Sequence, residues 1–232
     1  MKRFYKIVTV DETSDGFRFL LDGKPVRTPA RQPLLLPTHA LAEAVAQEWR
    51  AQDDEMKPAA MPLTRLVNTV LDGIRATREE VISAILRFGE NDLLSYRAEA
   101  PVALVARQLQ WDAYLDWLSD RHGARLAVTS GIQHVAQSEE TLAALREAIA
   151  AQSDFNLAAL HVLASVTGSL VLGLAVLDGR LTAEDAFALS RLDEAYQAEQ
   201  WGSDREAEAR AAHLAAEMRN AAELVRLARV KS

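Results

Sequence analysis

The stretch from Leu157 to Leu177 constrains this chain most: 21 consecutive residues contain no Asp, Glu, Lys or Arg. As one helix it is long enough to cross a bilayer, so it is either a membrane span or the most deeply buried helix of a bundle. Its interior carries His161, Ser165, Thr167, Gly168, Ser169 and Gly173, and its flanks are acidic, with Asp154 before and Asp178 after. A membrane span is usually marked by basic residues on its cytoplasmic side. We therefore read the run as one long apolar helix at the centre of a bundle, with no stable membrane insertion.

A core helix of that kind needs partners, and the pattern supplies them after about residue 60. Pro62 suits a first helical position, and Leu63, Leu66, Val67, Val70 and Ile74 follow on one face. Thr77 with Glu80, Ser138, and Thr182 with Asp185 each mark a helix start, whereas Gly123 ends the helix that Pro101 opens. Leu126 to Ile132 reads as an extended connector. The last helix carries Leu214, Met218, Ala221, Val225 and Ala228 at bundle spacing.

The first sixty residues have a different texture. Phe4 to Val10 is rich in β-branched and aromatic residues, and Phe17, Phe19 and Leu21 alternate with Arg18 and Leu20. Asp15-Gly16 and Asp22-Gly23 are turns, and Pro25 confines the third segment to a short or edge strand. Thr38 can cap one helix bearing Leu41, Val45 and Trp49. The expected fold is α+β, with a small antiparallel β-rich domain over residues 1–60 and a larger α-helical bundle over 61–232.

Catalytic and cofactor signatures are scarce. The five histidines (39, 122, 134, 161 and 213) form no i,i+3 or i,i+4 pair, so no metal or other cofactor is expected. His161 is read as a core histidine bonded to a backbone carbonyl. Gly168 and Gly173 have phosphate-loop spacing, but Leu174 stands where the lysine belongs, and small residues on a buried helix let a neighbour approach. The net charge of -7 argues against nucleic acid and favours a partner with a basic or polar surface. No cysteine is present, which fits a reducing compartment. The N-terminus shows no apolar run of signal-peptide length, so we expect the chain to work where it is made, a bacterial cytoplasm.

Carboxylates concentrate between Asp193 and Glu208. Glu194, Gln197 and Trp201 lie at i, i+3 and i+7, on one helical face. Gly202 suits a helix end, and Ser203 with Glu206 a capping box that opens the next helix. Trp201 is either a core residue or a protein-contact anchor. An alternative is a small hydrolase or isomerase drawing an acid and a base from residues 193–208.

Several segments form a recognisable ordered set. They are Arg3-Phe4-Tyr5-Lys6, Leu21-Asp22-Gly23-Lys24-Pro25-Val26, Thr28-Pro29-Ala30, Glu48-Trp49 with Gln52, and Met61-Pro62-Leu63-Thr64 with Asn68. There follow Asp92-Leu93-Leu94, Tyr96-Arg97, Gln108 with Trp111-Asp112, Trp117, and Thr167-Gly168-Ser169. Leu192-Asp193-Glu194, Gln197 and Trp201-Gly202-Ser203-Asp204 complete it. The set resembles the assembly chaperones for the alpha subunit of the F-type ATP synthase, known from mitochondria and alphaproteobacteria. That resemblance implies an N-terminal β-rich domain joined to an orthogonal helical bundle and no catalytic activity. It also implies ATP-independent holding of the free alpha subunit, no small-molecule substrate, and a mitochondrial-matrix location for eukaryotic relatives. It makes Glu194, Gln197, Trp201, Asp204 and Glu206 the candidate contacts. Ser203 and Arg205 depart from the pattern, because acidic residues are expected there in relatives.

Overall fold

The computed structural model describes residues 2–131 and 133–229; Ile132, the end of the expected connector, lies outside them. The chain is α+β, with a three-stranded antiparallel sheet followed by helices. It divides into two compact units: residues 2–78, 154–159 and 223–229 among those described, and residues 79–153 and 160–222.

In the first unit β1 (Val8–Thr13) pairs with β2 (Gly16–Leu21), Val8 opposite Leu21, and β2 pairs with β3 (Lys24–Pro25). The first strand begins later than its composition suggests, because residues 3–6 make other bonds. The Tyr5 ring lies 5.5 Å from Trp49 and its hydroxyl donates to the Trp49 carbonyl at 2.7 Å. Helix α1 (His39–Arg50) is capped by Thr38, whose hydroxyl accepts from the Leu41 amide, and buries Leu41, Ala42, Val45 and Ala46 beside the sheet. Trp49 sits 5.5 Å from Phe19 and donates its indole N–H to Thr64, so it belongs to the core packing. The Glu48 carboxylate accepts from the amides of Leu63 and Thr64, two of the orphan donors at the start of α2 (Pro62–Thr69). Burial nonetheless pushes its pKa up, against the pull of those bonds.

The second unit opens within α3 (Arg78–Glu90). The short strands β4 (Tyr96–Arg97) and β5 (Thr129–Ser130) pair in parallel, so part of the expected connector is a strand. The helix expected from Pro101 to Gly123 is two helices, α4 (Val102–Gln108) and α5 (Asp112–His122), separated by a tighter turn at Leu109–Trp111. Then come α6 (Glu139–Ala150), α7 (Asp154–Thr167), α8 (Leu170–Leu177), α9 (Ala183–Ser190), α10 (Leu192–Trp201) and α11 (Arg205–Ala228).

The apolar run is therefore a broken helix. Gly168 takes φ +66°, a left-handed conformation open to glycine at little cost, and Ser169 caps α8 by accepting from Leu172. Buried Asp92 fixes the break: its carboxylate accepts from the Leu94 amide at 3.0 Å and from the Val171 amide at 3.1 Å. The Leu93 amide donates to the Gly168 carbonyl at 2.9 Å. Every residue of α8 is buried. A Cβ added to Gly173 would lie 2.9 Å from Leu160, so the small residue does allow α8 to approach α7 closely. His161, expected in the core, is exposed, edge-on to Phe88 at 6.4 Å. Leu157, Leu160, Leu163 and Ala164 take the buried faces of α7, and His161 shares the exposed one with Ser165. Among the described residues no helix is long and apolar enough to cross a membrane.

Burial raises the Asp92 pKa from 3.8 to about 6, in spite of the amide bonds that favour the ionised form. The folded protein thus holds this proton more tightly than the unfolded chain does. Its contribution to stability is full below pH 4 and is lost as pH rises through 6. Urea titrations should show the stability of wild type, relative to Asp92→Asn, falling by about 2.5 kcal/mol between pH 4 and pH 8. A constant difference across that range would show that Asp92 does not titrate this way.

Candidate functional site

Helix α10 presents two faces with different fates. On one, Gln108 of α4 donates to Asp193 at 2.7 Å, and Arg107 donates to both carboxylate oxygens of Glu199, at 2.8 and 2.6 Å. The Arg107 guanidinium also sits 5.3 Å from the Tyr196 ring centre. This ion pair holds the Glu199 carboxyl below the ordinary range. On the other face Glu194, Gln197 and Trp201 project together, as their spacing predicts, and all three are exposed. None of the helix's ten residues is buried.

The helix ends at Gly202, and α11 turns back from Arg205. Asp204, rather than Ser203, directly precedes the helix, and the Ser203 hydroxyl bonds to Glu208 instead of completing a box with Glu206. The two helices bound an open groove of about 510 Å³ lined by Glu194, Gln197, Trp201 and Asp204, with Ala195, Ala198, Ala207 and Ala211 among its apolar walls. A hollow of about 480 Å³ shares Glu194 and Asp204 with it and adds Glu206, Arg210 and Leu214. All five candidates named from sequence thus meet at one surface. Trp201 is 79% exposed, which excludes it from the core. Arg191 lies 3.6 Å from Glu194 and is the nearest cation to that carboxylate on its own chain segment.

Sequence reasoning missed what sets this surface in place. Gln108, 1% exposed, receives the Ala98 amide on its side-chain oxygen at 2.7 Å, and its carbonyl receives Arg97. Arg97 also pairs with Asp112 and lies over the Trp111 ring, while the Trp111 indole donates to the Leu189 carbonyl at 3.0 Å. Arg107 meets Glu199 across 92 positions, a distance over which no local spacing signal exists. Among the described residues no group of His, Asp and Glu side chains stands where it would hold a metal ion.

With this geometry in hand, the likeness to known proteins becomes specific. The profile of the ATP12 chaperone protein family matches residues 2–119. The mitochondrial atp12 protein of Schizosaccharomyces pombe is 26% identical over 216 residues, covering 87% of this chain and 74% of that protein. The crystal structure of Atp12 from Paracoccus denitrificans superposes with a TM-score of 0.95 at 45% identity, over 98% of both chains. The Atu1473 protein of Agrobacterium tumefaciens gives 0.92 at 47% identity, over 97% of this chain and 85% of that one. The chain belongs to the ATP12 family of ATP synthase assembly chaperones.

The contrast between two tryptophans gives a direct check on the placement of the groove. Trp201→Ala should leave the unfolding free energy in urea within about 0.5 kcal/mol of wild type, as expected for an exposed side chain. Trp111→Ala, at 1% exposure, should cost about 3–5 kcal/mol. A comparable loss at both positions would mean that Trp201 is packed in solution.

Proposed function

We propose that this protein is an ATP-independent chaperone that binds the free alpha subunit of the F-type ATP synthase and keeps it competent to join beta. The observation that carries this reading is Trp201, 79% exposed at the end of a groove rimmed by Glu194, Asp204 and Glu206. A large aromatic held in water has an unfavourable resting state that a partner relieves, and aromatic anchors dominate protein interfaces. Gln197 supplies a neutral donor and acceptor beside it, and the carboxylates select a partner segment with basic or polar groups. A free subunit exposes the apolar surface it later buries, which is an aggregation hazard until its partner arrives. Open grooves with a few anchors suit a hold that the true partner can displace. Holding needs no metal, nucleotide or small-molecule substrate, and we place it in the bacterial cytoplasm. The hydrolase or isomerase alternative gains no support here: Asp193 and Glu199 are engaged by Gln108 and Arg107, and Glu194, Asp204 and Glu206 line an open surface rather than a closed cleft that would shift their pKa values apart.

Co-expression with a tagged alpha subunit tests the reading. Alpha should be captured, and beta added afterwards should displace the chaperone. Absence of capture while alpha stays soluble alone would overturn it. Glu194→Lys, confirmed folded by circular dichroism, should weaken capture roughly tenfold, the effect of about 1.4 kcal/mol. A folded variant that captures alpha as well as wild type would remove Glu194 from the contact.

A further inference from the structure

We infer that Arg107 is a positioning residue for the client surface: with Gln108 it clasps α10 to α4 through polar bonds and so aims Trp201, Glu194 and Gln197 outward. This deepens the reading that the groove between α10 and α11 receives the client, and it rests on that reading.

A helix normally stays in place because it buries an apolar stripe, and α10 buries no residue. Its attachment to α4 is instead made of a two-pronged Arg107–Glu199 pair, the Gln108–Asp193 bond and the Arg107–Tyr196 contact. Each polar bond lands on the face opposite the groove. Asp193, Tyr196 and Glu199 are thereby withdrawn from partner binding, whereas Glu194, Gln197 and Trp201 stay on the exposed face, Glu194 beside Arg191 at 3.6 Å. The two anchors differ in kind. Gln108 is buried and locked by bonds from Ala98 and Arg97 on the β4 segment, so it is a rigid post. The Arg107–Glu199 pair is partly exposed, with side chains 36% and 51% accessible, so it is the adjustable half of the clasp. The far end of the helix, next to Trp201, depends on that adjustable half. Planar two-pronged pairing fixes orientation as well as distance, which a lysine cannot reproduce. Losing the pair releases the C-terminal turn of α10, and a binding surface that must first be re-ordered loses affinity in proportion to the time it spends misplaced.

The test compares wild type with Arg107→Ala, Glu199→Arg, and the exchanged pair Arg107→Glu with Glu199→Arg. Capture of a tagged alpha subunit is read beside amide hydrogen exchange over residues 192–201 of the free protein. Arg107→Ala and Glu199→Arg should each speed exchange at α10 and weaken capture roughly two- to fivefold, the range expected for breaking a partly exposed ion pair. The exchanged pair should recover both. Faster exchange with unchanged capture would overturn the inference, because α10 order would then be irrelevant to binding. Weaker capture without faster exchange, unrelieved by the exchanged pair, would also overturn it and make Arg107 a direct contact. Failure of wild type itself to capture alpha would defeat the underlying reading, an outcome recognisable because it precedes any substitution.

Discussion

The arrangement of the second unit turns on one buried carboxylate. Asp92 sits where the apolar run breaks, accepting amides from Leu94 and from Val171 in the first turn of α8. A helix start leaves several donors without partners, and in a dry core each unmet donor costs about 1–3 kcal/mol. Asp92 and Ser169 meet those needs inside the protein, so α8 can be buried along its whole length. Without them the chain would have to keep that end wet, and Leu170 to Leu177 could not fill the centre of the bundle. The cost of burying a carboxyl shows in its raised pKa. The same device recurs in the first unit, where Glu48 meets the amides that open α2.

Helix α10 obeys the opposite rule. Where α8 is held by burial and non-directional packing, α10 is held by directional polar bonds to Arg107 and Gln108. That difference suits a surface that must remain open. An apolar stripe on α10 would have competed with Trp201 for the bundle and drawn the helix inward. Polar clasping leaves one face available to water and to a partner, and it divides the acidic window into carboxylates used internally and carboxylates left at the rim.

Many of the residues that carry the family resemblance are explained by this scaffold. Arg97, Gln108, Trp111, Asp112 and Asp193 belong to one connected set of bonds and ring contacts, and Asp92, Gly168 and Ser169 to the helix break. Trp49 and Thr64 meet in a hydrogen bond in the first unit. Glu194, Gln197 and Trp201 take no part in such packing, which is why they stand out once the scaffold is accounted for. Periodicity placed those three on one face correctly, because a helix repeats every 3.6 residues whatever it packs against. It was silent on which face would be covered.

The sequence by itself determined the α+β class, the strand turns, the caps at Thr38, Ser138 and Thr182, and the alignment of Glu194, Gln197 and Trp201, because each of these is settled within a few residues. It did not reveal that the run from Leu157 breaks at Gly168, that His161 faces water, or that Trp201 is exposed. The break rests on Asp92 reaching Val171 across 79 positions, and the covered side of α10 on Arg107 reaching Glu199 across 92. Bonds between segments so distant form only when the whole chain has closed around them, and so the tertiary structure decided where the core ends and the exposed groove begins.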